Sequence, residues 1–448
     1  MSHREQHVPR TADAVVIGGG MAGLAAADVL TAAGRSVMLV EAAPSIGGLA
    51  KSVTVQGETI EAYYHHVFPQ DRELLARIQR LGLSERLRWL PASTANLQSG
   101  TIYPFNTIAD LLRYPPLRLV ERLRLGFGGV LALLPGQGSR LDRQRVGSLG
   151  PKWFGPNGYR VLWQPLLNGK FGPLAGDVAM AWLVARMRQR AAARKGGRGD
   201  RLAYLRGGFG IVADRLADDL RRRGVSIELG TPVTALTRAE GRWQVDLPGE
   251  RILARTVIAA TSGGILSRLV QLPGDYRARL EKIPYRGVVC VLLELDRQIG
   301  RHYWTNLTQA STFDCLAVIE HTNFVPAEWY GGRHLVYLAH YVDPEGPVWA
   351  ASEGELLAAA GDVLRSVNPG FDPSWILGVH VSRDRWAQPV ALAGGSMPGL
   401  PMAIGDEGLF HVSLAHIYPD DRGMSLAMRV GERAARLADA WLARDRSA

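Results

Sequence analysis

Short apolar runs, glycine turns and amphipathic stretches recur along this chain, the pattern of buried strands alternating with helices. The first run, Val15–Val16–Ile17, breaks at Gly18–Gly19–Gly20 and gives way to the Ala-rich stretch Ala22–Leu30, which closes near Gly34. That order predicts a strand, a tight turn and a helix. A second predicted strand, Ser36–Val40, delivers Glu41. Farther on, a helical pattern from Ile211 to Arg223 precedes strands at Val225–Leu229, Val233–Thr237 and Trp243–Leu247, then the run Thr256–Thr261. Strands such as Val288–Leu295 and His334–Val342 mark a mixed region, and a last helix starts near Met424. Strands interleaved with helices predict an α/β fold.

The first turn carries chemistry. Gly18 permits the tight bend, Gly20 lets backbone approach a pyrophosphate, and Gly23 lets helix and strand pack closely. The open N–H groups at the helix start, around Met21 and Ala22, then face phosphates. Glu41 stands at the end of the second strand, where a carboxylate holds both ribose hydroxyls and repels a 2′-phosphate. These residues predict a site for FAD or NAD rather than NADP.

The continuation Glu41–Ala42–Ala43–Pro44–Ser45–Ile46–Gly47–Gly48–Leu49–Ala50–Lys51 resembles the E-x(5)-GG segment of the FAD-dependent amine oxidase, protoporphyrinogen oxidase and phytoene desaturase superfamily. The resemblance implies FAD, with Gly47–Gly48 passing the pyrophosphate and Lys51 where that superfamily often has a basic residue. It returns at Leu205–Gly210, at Val233, whose backbone would meet the adenine, at Ala259–Ala260–Thr261 closing over the cofactor, and at Gly408–Ser413. It implies a Rossmann-type FAD-binding domain of the GR2 type, discontinuous over 11–96, 204–274 and 390–448. An α+β substrate-binding lobe would be inserted over 97–203 and 275–389. Since GxGxxG occurs only once, no second dinucleotide domain is expected.

Tyr63–Tyr64–His65–His66 leaves the FAD domain beside the isoalloxazine in that superfamily, so His65 and His66 are candidate catalytic groups, able to move a proton or stabilise charge. Either can instead cap a loop or satisfy a buried carbonyl. Arg160, within Asn157–Phe171, is a candidate clamp for a carboxylate or phosphate, with Trp163 and Gln164 beside it. It can equally pair with an acid, and Lys170 reads as a surface lysine. Near the C-terminus, Tyr418–Pro419–Asp420–Asp421–Arg422–Gly423–Met424 resembles the loop that brings Arg422, Gly423 and Met424 to the flavin edge. This phrase is more similar to UDP-galactopyranose mutase relatives than to amine oxidases, and Ser413 replaces the acid usual in the latter. Asp421 and Arg422 can simply pair with each other.

Composition narrows the function. The 448 residues, 47% hydrophobic, suffice for two or three domains. Cys290 and Cys315 are the only cysteines and no metal-ligand spacing occurs, which fits a reducing, cytoplasmic location and predicts no metal. The net charge is +10, and Arg113–Arg201 alone holds 17 Lys/Arg against Glu121, Asp142, Asp177 and Asp200. That field suits an anionic small-molecule substrate or an anionic membrane face, or is merely a solvated surface. No nucleic-acid module accompanies it, so no nucleic-acid partner is expected. Pro115–Pro135 spaces Leu117, Val120, Leu123, Phe127, Val130, Leu131 and Leu134 as one helix face beside Arg118, Arg122 and Arg124. Such a helix lies peripherally in a membrane interface or buries its stripe within the lobe.

The leading expectation is an FAD-dependent oxidoreductase, oxidase or dehydrogenase, taking a hydride from a C–N or C–C bond of an anionic, amphiphilic substrate to flavin N5. The alternatives are a non-redox flavoenzyme like UDP-galactopyranose mutase, acting on a nucleotide sugar, and a flavin-binding assembly or carrier protein.

Overall fold

The computed structural model describes residues 10–136, 138–193, 200–308 and 312–445. Arg194, Lys195 and Arg198 of the basic stretch lie outside them. The first sheet runs in the order Ala235–Ala239, Arg242–Leu247, Glu250–Ala259, Arg10–Ile17, Val37–Val40, Ser226–Glu228, with Leu409–His411 beside the end of Glu250–Ala259. The four strands around Arg10–Ile17 pair in parallel, and Ala235–Leu247 adds an antiparallel hairpin. Alternation sets its two faces. Ala14, Val16, Leu39 and Ile258 pack under the helices Met21–Ala32, Gly210–Arg222 and Met424–Asp445, while Val15, Ile17, Val40 and Val257 face a second core. This is the Rossmann-type arrangement the sequence predicts.

A second, seven-stranded sheet runs Ile376–Pro389, Tyr285–Leu295, His334–Val342, Ala317–Glu320, Trp304–Leu307, Thr94–Gln98, Thr101–Pro104. Val289, Val291 and Leu293 pack on the helix Glu353–Val367, and Cys290, Leu292 and Tyr341 turn towards the first domain. The strand Thr94–Gln98 straddles the expected 96/97 boundary and pairs with Trp304–Leu307, so it belongs to this sheet. The strand expected from Val233 starts at Ala235 instead. Helices fill the rest of the first lobe segment, among them Leu119–Leu133, Gln164–Phe171 and Met180–Ala193. Of the apolar stripe predicted over 115–135, Leu117 is buried but Val120, Leu123, Phe127, Val130 and Leu134 are exposed, and Leu125, Gly128 and Ala132 make the buried face of the helix Leu119–Leu133.

A buried polar network ties the hairpin strand Glu58–Glu61 to the second sheet. The Glu61 carboxylate accepts from Tyr204 Oη at 2.8 Å and from the Phe209 N–H, and Tyr337 Oη donates to the Glu61 carbonyl at 2.6 Å. Burial pushes the Glu61 carboxyl up from 4.5 to about 7, against the pull of those donors. A raised folded value means stability that is full below the unfolded value and lost as pH rises through 7. Glu61→Gln is therefore expected to gain on the native protein by about 1.4 kcal/mol per pH unit between roughly pH 5 and 7, then to plateau. Urea unfolding of both proteins across that range measures the difference, and parallel curves would refute it. The difference also removes the opposing contribution of buried His321, His411 and His416, all pulled down by burial.

Candidate functional site

The glycine turn is built for close approach. Gly18 has φ +106°, and a Cβ there would lie 2.6 Å from the Ala260 carbonyl oxygen; one at Gly23 would lie 1.9 Å from that of Gly18. The helix Met21–Ala32 opens on Gly20 with no capping side chain and no acid in its first turn, so its N–H groups stay open to an anion. Gly47 N–H donates to the Gly19 carbonyl at 2.9 Å, and Gly47–Gly48, both at positive φ, lie alongside Gly20. At the strand end, the Glu41 carboxylate accepts from Gly19 N–H at 2.6 Å and Ala43 N–H at 2.8 Å, which fixes its orientation. The Thr231 N–H donates to the Glu41 carbonyl at 3.0 Å and ties the Thr231–Val233 connection to the same edge.

These elements form one wall of a cavity of about 1400 Å³. Gly18, Gly20, Met21, Ala22, Glu41, Ala42, Gly47, Gly48, Leu49, Val233, Ala260 and Thr261 line it, and so do Arg422, Gly423 and Met424 from the far end of the chain. Gly23 acts behind the wall, as the contact that lets helix meet strand. Lys51 does not line it: its ammonium lies 5.5 Å from the Tyr63 ring centroid. The apolar side of the cavity comes from the lobe, including Leu162, Trp163, Leu167, Trp182 and Leu183.

His65 and His66 both line the cavity, at the junction of the two domains. His65 Nδ1–H donates to the Tyr63 carbonyl at 2.6 Å, leaving Nε2 as acceptor, and His66 Nδ1 meets Tyr303 Oη at 3.0 Å. Burial, with Arg422, holds His65 down at about 4; burial, with Arg190 and Arg186, holds His66 well below its ordinary value. Both rings are neutral at pH 7, so they act as hydrogen-bonding groups rather than as stores of a proton. Arg160 is not in the site: Tyr159–Trp163 forms a π-helical turn with Tyr159, Val161 and Leu162 buried, which leaves Arg160 exposed and bonded to Asn157 Oδ1 at 2.5 Å.

The charged centre lies elsewhere. Lys170, on the helix Gln164–Phe171, is buried against the cavity and donates to Asp421 at 2.6 and 2.9 Å, with Arg186 Nε 3.7 Å from the same carboxylate. Burial pushes the Lys170 ammonium down despite Asp421. Burial opposes ionisation of Asp421 too, but Lys170, Arg186 and Arg422 outweigh it and hold the carboxyl at about 2. Arg422 donates to Tyr341 Oη at 2.5 Å, and Tyr341 Oη lies 3.0 Å from Tyr64 Oη. Although burial opposes it, Arg422 with Lys170 pulls the Tyr341 hydroxyl below its ordinary value, whereas burial raises Tyr64. Asp421 and Arg422 thus point to different partners. Lys170, Tyr64 and Tyr341 join them from three separate stretches of the chain.

The described residues contain no His/Cys/Asp/Glu cluster placed to hold a metal. The glycine cradle, the uncapped helix and the fixed Glu41 together fit an adenine dinucleotide, and the cavity extends past its inner end to Arg422–Met424. The family model for flavin containing amine oxidoreductases matches residues 21–410. The chain belongs to that family. Its cofactor is FAD. A putrescine oxidase from Kocuria rosea is 38% identical over 100 residues, 20% of this chain and 21% of that protein. The protoporphyrinogen oxidase of Bos taurus is 26% identical over 304 residues, 59% and 63% of the two chains. The matches thus span less than two thirds of these relatives. Reduced UDP-galactopyranose mutase shares the fold with a TM-score of 0.72 at 15% identity, over 96% of this chain and 93% of that one.

Proposed function

We propose that this protein is an FAD-dependent oxidoreductase that removes a hydride from a C–N or C–C bond of an anionic, amphiphilic small molecule. The observation that carries this reading is the continuity of one cavity from the dinucleotide turn to an apolar lobe, with half-buried cations where the two meet. Lys170 and Arg186 share a single buried carboxylate, Asp421, while Arg422 beside it donates to Tyr341 rather than to an acid, so this wall retains positive charge for a substrate anion. Trp163, Trp182 and Leu183 offer the apolar surface that would take the rest of the molecule and exclude water. FAD, when bound, supplies the acceptor for two electrons and a proton. His65, fixed through Nδ1, offers Nε2 as a hydrogen-bond acceptor to the substrate, and its low proton affinity passes the released proton on to water.

Electron count tests the reading. Purified holoprotein is titrated anaerobically with anionic amines and reduced ring compounds, and separately photoreduced and mixed with oxygen. Bleaching of the flavin by a substrate, with reoxidation by oxygen or an added acceptor, is expected. Turnover of a nucleotide sugar only after prior reduction, with no net electron flow, would favour the mutase alternative. A flavin inert to both would favour a carrier.

A further inference from the structure

Of the eleven large apolar side chains exposed among the described residues, nine fall between Ile108 and Leu134. Leu119, Val120, Leu123, Phe127 and Val130 are more than half exposed along one helix, Val120 at 74% and Phe127 at 60%. The opposite face of that helix is already packed: a Cβ on Gly128 would sit 2.5 Å from the Phe154 ring. Leu119–Leu133 is therefore apolar on both sides, and only the outer one lacks a cover. A contiguous exposed patch of this kind marks an interaction surface.

We propose that this outer face docks into the interfacial layer of an anionic lipid bilayer. Two further observations choose the bilayer over a protein. Arg113, Arg118, Arg122 and Arg124 flank the patch against only two acids in the segment, Asp110 and Glu121, which leaves it net positive. That is the charge pattern anionic headgroups complement. In addition, Leu112, Leu123 and Val130 line the cavity as well as the outer surface, so its mouth opens within the patch. A protein seated there would plug the mouth, whereas a lipid surface lets an amphiphile pass directly into it. No helix among the described residues is long and apolar enough to cross a membrane, so the attachment is in-plane. The choice of a bilayer over a protein rests in part on the amphiphilic substrate proposed above, whereas the binding test below needs no turnover.

The test uses the full-chain holoprotein at low salt with extruded vesicles of phosphatidylcholine and of phosphatidylcholine mixed with phosphatidylglycerol. Cosedimentation is expected with the mixed vesicles, at least tenfold weaker with the neutral ones and weakened by salt. Val120→Glu/Phe127→Glu, two positions outside the cavity, is expected to lose at least tenfold in binding with unchanged flavin absorbance and melting temperature. Should that variant misfold, Phe127→Trp decides: the fluorescence gained by the substitution is expected to be quenched by brominated acyl chains. Absence of binding to either vesicle, equal binding by the double variant, or no such quenching in Phe127→Trp would overturn the proposal. So would a dimer in light scattering that the same double variant dissociates, since a second copy would then cover the face.

Discussion

Gly23→Ala is expected to give a protein purified without its yellow colour. The added Cβ would lie 1.9 Å from the Gly18 carbonyl oxygen, and the neighbour is backbone, so helix and strand must separate by about 1 Å. Gly18 cannot yield, because its N–H is bonded to the Val40 carbonyl at 2.8 Å and its own Cα faces the Ala260 carbonyl. The displaced helix start carries the N–H groups that would hold the pyrophosphate. A loss of at least about 100-fold in FAD affinity, roughly 2.7 kcal/mol, is the expected size. Titration of the apoprotein with FAD measures it. Gly34→Ala is the control: Gly34 has φ +75° but no atom within 4 Å of an added Cβ, so it is expected to cost about 1 kcal/mol of stability and no flavin. Full occupancy in Gly23→Ala would show that the close approach is not what forms the site.

That prediction rests on residues legible in the sequence, because a strand, a turn and a helix declare themselves over a few adjacent positions. Glu41 is legible for the same reason, being fixed by the length of one βαβ unit. The charged centre was not legible. Lys170 and Asp421 are separated by 251 positions, and only the packing of Gln164–Phe171 against the C-terminal loop makes that lysine buried rather than exposed. Arg160 misled because the chemistry of a guanidinium says nothing of the side it faces: in the π-helical turn Tyr159–Trp163 it is left exposed, bonded to Asn157. The stripe over 115–135 was visible as a pattern, yet periodicity cannot say which side of a helix the rest of the chain will cover. Gly431 shows the same limit, since a Cβ there would fall 2.1 Å from the Ala22 carbonyl oxygen, a contact between helices at opposite ends of the chain.

Removing Asp421 is expected to do far more harm than removing Lys170. The Asp421 side chain is 4% exposed, and three cations surround it. In Lys170→Met the carboxylate keeps Arg186 and Arg422, so a moderate loss is expected. In Asp421→Asn the buried Lys170 ammonium faces Arg186, Arg422 and aromatic rings without a carboxylate, and a loss of about 3–5 kcal/mol follows from stranding a buried charge. The double variant Lys170→Met/Asp421→Asn is expected to lose less than the sum of the two, as for any directly coupled pair. A pH series separates electrostatics from packing. Burial already lowers the Lys170 proton affinity, and without Asp421 it falls further, so the unfolded chain binds the proton more tightly. Stability then rises as pH approaches the ordinary lysine value, and the deficit of Asp421→Asn narrows with rising pH. Chemical unfolding from neutral to alkaline pH reads this directly. Equal, pH-independent deficits in the two single variants would mean that the pair merely fills space. A narrowing deficit in Asp421→Asn alone would instead establish that the wall is held positive against its own burial, the condition an anionic substrate needs.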